Sequence, residues 1–199
     1  MTFFPMKPAR AVQGSIMQNG LYVAASAQVA LERRLDTIAD NIANMNTPGF
    51  RATGVSFEAE VAKAGQTPLS YVSPGSEYIT RGAGELTSTG NPLDFAVQGD
   101  GWFAIQTPSG LAYTRDGRAR IDESGALRTL NGDALLDAGG APIILDGTGS
   151  AITVSSDGMI TQNGRQVGAI GLFAIDPAAS LKRAENSSVV PDRPATPIL

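Results

Sequence analysis

The chain predicts a mainly β protein preceded by one long α-helix, and three observations support that fold class. Apolar side chains recur at Leu21, Ala24, Leu31, Leu35, Ile38, Ile42 and Met45, three and four residues apart, with Gln28 as the interruption. Such spacing is the seam of a coiled-coil-type helix built to pack on other helices. The seam then stops at Asn44-Met45-Asn46-Thr47-Pro48-Gly49-Phe50. Proline lacks a backbone donor and disfavours helix at the residue before it, and Gly49 can take the positive φ of a tight turn. Beyond residue 90 the turn signals arrive regularly: Gly99-Asp100-Gly101, Asp116-Gly117, Ser124-Gly125, Asn131-Gly132, Gly139-Gly140, Asp146-Gly147, Asp157-Gly158 and Asn163-Gly164. Short runs rich in Val, Ile, Leu, Phe or Tyr lie between them, which is the pattern of an all-β domain rich in hairpins.

Taken in chain order, residues 1–16 read as a leader or upstream extension, because Pro5, Pro8 and Gly14 interrupt helix and the seam begins only after Gly20. Residues 17–50 form the helical segment with its terminating turn. Its e and g flanks hold Ala25, Ala27, Glu32, Arg34, Ala39 and Asn41, and its first half is apolar or small nearly all round. A helix of that kind is covered from several sides. Spacing alone leaves two readings open, a core helix of this same chain or an assembly helix. Residues 51–89 read as a connection, with loops enforced at Gly65, Pro68, Pro74 and Gly75. Residues 90–176 form the β domain, with strands expected at 94–97, 102–106, 112–114, 119–121, 143–145, 152–154, 159–161 and 169–175. Trp102, Phe103, Phe95, Tyr113 and Phe173 are its large core candidates, enough to nucleate one core. Residues 177–199 read as a polar, proline-rich tail.

Composition removes many chemistries. The 199 residues include no cysteine and no histidine, so disulfides, thiolate nucleophiles, Ser-His-Asp triads and the commonest zinc sites are excluded. Net charge is −4 with 17% charged residues and no basic block, which argues against nucleic-acid binding. No apolar run approaches a transmembrane length, and Ala11–Ile16 is too short and polar for a secretory signal core. The Asp-Gly turns lack the alternating carboxylates and the following glutamate of a calcium loop. Gly82-Ala83-Gly84 and Gly147-Thr148-Gly149 lack the third glycine of a dinucleotide loop. Asp94 and Asp100, flanking a strand beside Trp102, form the one carboxylate pair that evokes a glycoside hydrolase. The simpler reading places both in turns, where Asp is favoured for local hydrogen bonding.

The run from Thr37 to Phe50, with Asn41, Asn44, Thr47, Pro48, Gly49 and Phe50, resembles the N-terminal signature of bacterial flagellar rod and hook proteins. The stretch Gly90-Asn91-Pro92-Leu93-Asp94-Phe95-Ala96-Val97-Gln98-Gly99-Asp100-Gly101-Trp102-Phe103 resembles the motif that opens their central β domain. Ala112-Tyr113-Thr114-Arg115-Asp116-Gly117 follows at that family's usual place. The resemblance spans roughly residues 18–173, and the separation of Phe50 from Asn91 matches the proximal-rod members of F type better than distal-rod or hook-type members. It implies a structural, non-enzymatic subunit without cofactors, polymerising with other rod subunits into the axial shaft that transmits torque. It further implies passage through the flagellar export machinery without a cleaved signal peptide, assembly in the periplasm, and no direct membrane insertion. Family members begin close to the position of Met17 and end in a second long helix that packs against the first, so the resemblance implies that the 177–199 tail leads to a C-terminal helix missing from this sequence. The rival reading from another class is an extracellular carbohydrate-binding or carbohydrate-cleaving β protein, which needs an exposed aromatic row and a cleft with two carboxylates.

Overall fold

In a computed structural model, residues 12–57, 59–62, 69–72, 76–146 and 151–198 are described. Among them, helix is confined to α1 (Val12–Ala43). It begins earlier than the seam suggested and runs through Gly14 and Gly20. A glycine costs about 1 kcal/mol in a helix interior, a penalty that good neighbours outweigh, whereas a proline stops the helix outright. Residues 1–11, most of the expected leader, lie outside the described residues. The chain divides into two units. The first contains α1 to Ile42 and Gly54–Glu77, and the second contains Ala43–Thr53 and the chain from Tyr78 onward.

Within the first unit, Val23, Ser26, Ala27, Thr37 and Asn41 are half-buried and Ala30 is buried at 6% exposure. Small or short side chains dominate that face. Ser26 and Thr37 donate their hydroxyls to carbonyls of the preceding turn, Val23 O and Arg33 O, both at 2.8 Å. The expected connection carries short ribbons. β1 (Thr53–Ser56) pairs with β4 (Ser76–Ile79), and β2 (Ala59–Ala62) pairs antiparallel with β3 (Leu69–Val72).

The second unit is built around β6 (Gly101–Thr107). Alternation along a strand sends successive side chains to opposite faces, and here both faces are covered. Phe103 and Ile105 enter one apolar cluster with Ala119, Leu127, Leu135, Leu145 and Ile160. Trp102 and Ala104 enter a second with Tyr113, Leu136, Phe173 and Val189. The sequence pointed to one core; the two-sided burial of β6 makes two clusters. Tyr113 and Phe173 meet edge-on at 5.6 Å, a favoured aromatic geometry.

The strands around β6 are antiparallel. β5 is Asp94–Phe95, β7 Gly110–Thr114, β8 Gly117–Ile121, β9 Leu127–Thr129 and β10 Ala134–Leu135. After them come β11 (Ile152–Val154), β12 (Met159–Gln162), β13 (Arg165–Ala169), β14 (Leu172–Ala174), β15 (Leu181–Arg183), β16 (Val189–Pro191) and β17 (Thr196–Pro197). The main sheet runs β15-β16-β7-β6-β10-β9-β8-β5, with β14 also on β6 and β17 on β14. β11, β12 and β13 form a separate three-stranded sheet whose Ile160 joins the first cluster. Its β12–β13 turn is Asn163-Gly164 with φ of 54° and 72°, the doubly left-handed geometry for which that dipeptide is selected.

Three expectations need correction. The 143–145 segment makes only isolated bridges, with Ala126 opposite Ile144 and Leu136 opposite Pro142. The 169–175 strand is two strands, broken at Ile170-Gly171. A Cβ at Gly171 would lie 2.8 Å from Ala138 N, so the chain there presses against another backbone. The segment after residue 176, expected as a tail, is folded into the sheet. Val189 and Ser188 are fully buried, β16 pairs with β7 and β17 pairs with β14. Its prolines misled the reading, since Pro191 and Pro197 stand at strand ends, where proline is tolerated.

Candidate functional site

The helix ends in a turn held by backbone bonds from Thr47 N to Asn44 O (2.9 Å) and from Phe50 N to Thr47 O (3.2 Å). Gly49 has φ of 71°. It also lies flat against the β7–β8 turn: a Cβ here would stand 2.7 Å from Asp116 Cα and nearer still to Asp116 N and Arg115 C. Two demands therefore select glycine, a left-handed φ and a backbone-to-backbone approach. The residues that follow complete the attachment. The Arg183 guanidinium stacks 4.4 Å from the Phe50 ring centroid, donates to Arg51 O, and donates to Thr53 Oγ1 at 3.0 Å.

Trp102, from the second motif, lies beside Arg115 of the third and Arg51, the residue that follows the first. Arg51 and Arg115 approach its ring with Cζ-to-centroid distances of 6.0 and 5.8 Å. Arg115 donates to the carbonyls of Gly101, Val97 (3.3 Å) and Gly99 (2.7 Å), clamping the Gly99-Asp100-Gly101 turn. Burial lowers the basicity of Arg51, which Asp100 partly offsets. Arg115 is lowered by burial and then by Arg51, again offset by Asp100. Arg51 Nη1 is buried with no hydrogen-bond partner among the described residues, so the Trp102 ring face and the field of Asp100 compensate its charge. The arrangement anchors the Gly99-Asp100-Gly101 turn and the Trp102 ring to the residues after the helix.

Asn91, Pro92, Leu93 and Asp94 form a closed polar turn. Asn91 Nδ2 donates to Asp94 Oδ1 (2.8 Å), Thr89 Oγ1 to Asp94 Oδ2 (2.7 Å), and Leu93 N to Asn91 Oδ1 (3.2 Å). The turn delivers β5 to β8, where Asp94 pairs opposite Arg118. Asp94 is thus engaged within its own turn, while Asp100 sits exposed in another. At Gly117 a Cβ would lie 2.8 Å from Phe95 C and 2.9 Å from Phe103 Cε2, which explains that glycine in the third motif.

The seam occupies the opposite kind of environment. Leu21, Leu31, Leu35, Ile38, Ile42 and Met45 are exposed, from 44% at Ile38 to 71% at Met45, and Ala24 is exposed with them. Tyr22 and Val29 are exposed too, but at about 100° per residue they lie on the side of the helix away from the seam. Single exposed apolar residues are ordinary; here Leu21, Leu31, Leu35, Ile38 and Ile42 form one open row along α1, and Met45, expected as its last member, lies past the helix end in the turn. Spacing found these residues. It gave no role to Arg51, Arg81, Arg115 or Arg183. Arg81 donates to the carbonyls of Ile175, Asp176 and Ala179, tying the start of the β unit to its C-terminal strands. Only Arg115 carried any signal, through its place in the third motif.

The helix with its glycine-pinned turn and the heart of the β unit each match a family of bacterial flagellar proteins. Residues 21–51 match the family "Flagella basal body rod protein", and residues 96–162 match "Flagellar hook protein FlgE/F/G D1 domain". The flagellar basal-body rod protein FlgF of Mesorhizobium japonicum is 53% identical over 182 residues, covering 92% of this chain and 76% of that protein. FlgF of Rhizobium meliloti is 51% identical over 183 residues with the same coverage. FlgF of Caulobacter vibrioides is 39% identical over 165 residues, covering 80% and 67%. The chain belongs to the flagellar basal-body rod proteins, as a structural subunit similar to the FlgF type.

Proposed function

We propose that this subunit works by polymerisation, with the α1 seam as its assembly surface and the anchored turn as the fixed start of its β unit. Copies stack along the flagellar axis beside other rod subunits. Their helices form the inner layer and their β units form lateral contacts outside, so torque passes through packed side chains. The subunit is exported by the flagellar machinery without a cleaved signal and acts in the periplasmic part of the basal body. It performs no chemical step, takes no cofactor, and neither binds nucleic acid nor inserts directly into the membrane.

The observation that supports this reading is the exposed seam. Burying a bulky side chain such as Leu31, Leu35, Ile38 or Ile42 is worth about 1.5–3 kcal/mol, and isolated helices gain most of their stability from such packing. Leu35→Asp with Ile42→Asp would place two charges in that contact, each costing several kcal/mol to desolvate. Cells carrying this double variant are expected to lose rod assembly and motility, while the β unit keeps its unfolding midpoint. Normal basal bodies in those cells would show that the seam is not an assembly surface.

A further inference from the structure

We infer that residues 84–87 add as an antiparallel strand to the open edge of β15 in a second copy of this chain, Glu85 meeting Lys182 and Leu86 meeting Leu181. The inference rests on the rod-subunit reading and specifies one lateral contact between β units. Residues 82–90 are all exposed, Leu86 at 58%, and form neither helix nor strand. A Cβ on Gly82 or Gly84 would meet nothing within 4 Å. Among the described residues, no hydrogen bond holds residues 82–88. Both ends of this strap are nevertheless fixed. Arg81 donates to the carbonyls of Ile175, Asp176 and Ala179, and Thr89 Oγ1 donates to Asp94 Oδ2. A segment tethered at both ends has less freedom to lose when it gains a partner, and an unpaired extended backbone is what strand addition uses.

β15 ends the main sheet, with β16 on its inner side. Asp192 N donates to Ser180 O, and Ala184 N donates to Ser188 O, so residues 180, 182 and 184 turn their backbone groups toward β16. Alternation therefore turns the N–H and C=O of Leu181 outward. An antiparallel strand with Leu86 opposite Leu181 exchanges both backbone bonds there. The same register sets Glu85 opposite Lys182 as a non-hydrogen-bonded pair, where side chains stand closest, and opposite charges so placed attract. Both are exposed, and neither has an ion pair among the described residues. Leu181 packs partly buried against the second cluster, so Leu86 extends that cluster. Parallel addition with Glu85 on Lys182 would set Leu86 beside Arg183 and lose the apolar match. The added strand is not the chain's own. In its own chain this register would set Arg81 opposite Asn186, roughly 20 Å along the strand from the Ala179 carbonyl that it holds. Other edges of the unit fit less well. β17 carries Pro197, β11 has no charge, the β12–β13 register is bulged between Ile160 and Thr161, and β5 would present Asp94 to Glu85. A lysine on an edge strand repels unselected strands; here it chooses one with an acid at the matching place. Strap and edge are different surfaces, so the contact is heterologous and each copy gives one strand and receives another.

The cysteine-free sequence permits a direct test in the full-length protein within cells. The Cα atoms of a non-hydrogen-bonded pair lie about 4.5 Å apart, within the reach of a disulfide. Cells co-expressing differently tagged Glu85→Cys and Lys182→Cys chains are oxidised and analysed whole and as isolated basal bodies. A covalent heterodimer is expected, and neither variant alone should yield a dimer. A chain carrying both cysteines should yield covalent oligomers. Absence of the heterodimer while both chains are present, a homodimer from one variant, or closure of the doubly substituted chain on itself would overturn the inference and leave the rod reading intact. Heterodimers in cells whose basal bodies lack the unsubstituted protein would uphold the contact and remove the rod reading. Should the cysteines prevent the chains from accumulating, charge reversal decides. Glu85→Lys sets lysine against Lys182 and is expected to cut motility about fivefold or more, and adding Lys182→Glu to restore it to within about twofold. Failure to restore overturns the inference.

Discussion

Replacing Gly49 by alanine should cost far more than replacing Gly90, although the two glycines have nearly the same backbone angle. Gly49 has φ of 71° and Gly90 has φ of 75°. An L-residue in that region pays about 1–2 kcal/mol, so each substitution carries this amount. The surroundings differ. At Gly90 a new Cβ meets nothing within 4 Å. At Gly49 it would stand 2.7 Å from Asp116 Cα and nearer to two other backbone atoms, which cannot rotate away as a side-chain tip can. Overpacking of this kind adds about 1–3 kcal/mol. Gly49→Ala is therefore expected to destabilise the β unit by about 2–5 kcal/mol and Gly90→Ala by about 1–2 kcal/mol.

Trp102, the one tryptophan of the chain, makes the measurement local, because it packs under Arg51 and Arg115 beside the turn. Urea unfolding followed by its fluorescence reports both variants on one probe. If the chain relieves the clash by lifting the turn while the sheet survives, Trp102 loses Arg51 and gains water, and native emission shifts to the red. Equal losses at the two glycines, with native emission unchanged, would show that the close approach at Gly49 is not part of the folded protein.

Arg115→Lys should destabilise by about 2–4 kcal/mol, since an ammonium cannot reach three carbonyls fixed for a guanidinium fork and hydrogen bonds to charged groups are worth about 1.5–3 kcal/mol each; thermal unfolding measures the loss. Asp122 is held well below the ordinary carboxylate range by Ser124 and then Arg128, with the Ala126 and Ser124 amides adding to the effect. The folded form thus keeps Asp122 ionised at pH values where the unfolded chain already takes up a proton, so stability falls as pH drops below about 4. Asp122→Asn is expected to flatten that acid limb, and an unchanged limb in urea titrations from pH 7 to pH 2 would refute it. Val189→Ala should cost about 1–3 kcal/mol, because this residue is fully buried on β16. A loss below about 0.5 kcal/mol would return residues 177–199 to the status of a tail.

The helix was legible because its signal is local. Leu31, Leu35, Ile38 and Ile42 declare a face by spacing alone, and Pro48-Gly49 declares where that face ends. Most hairpins were legible for the same reason, Asn163-Gly164 above all. What spacing left undecided was whether the seam belongs to the interior of this chain. Ala30 is buried while Leu31 is open, so within this helix the small face is the covered one and the large apolar face is free. Periodicity names a stripe without saying what lies against it. β9, β10 and the last three strands were missed because each is only two or three residues long, and β16 and β17 also pair with strands more distant in sequence. Val189, opposite Tyr113, is the plainest case.

The arginines explain why the anchor stayed hidden. Arg51 reaches Trp102, Arg115 reaches back to Val97, and Arg183 reaches Phe50 across more than 130 residues. None of these contacts has a period or a fixed spacing, and an isolated arginine in a sequence reads as surface. Yet this cluster sets the local geometry of the turn, because a left-handed glycine supplies only permission to bend. The bend is held by what it presses on, the Arg115-Asp116 backbone, and by the stacked guanidinium beyond it. A sequence can therefore announce a helix through its apolar rhythm while concealing the residues that hold the turn after it. Long-range cation contacts of this kind become visible only once the β unit has folded around Trp102.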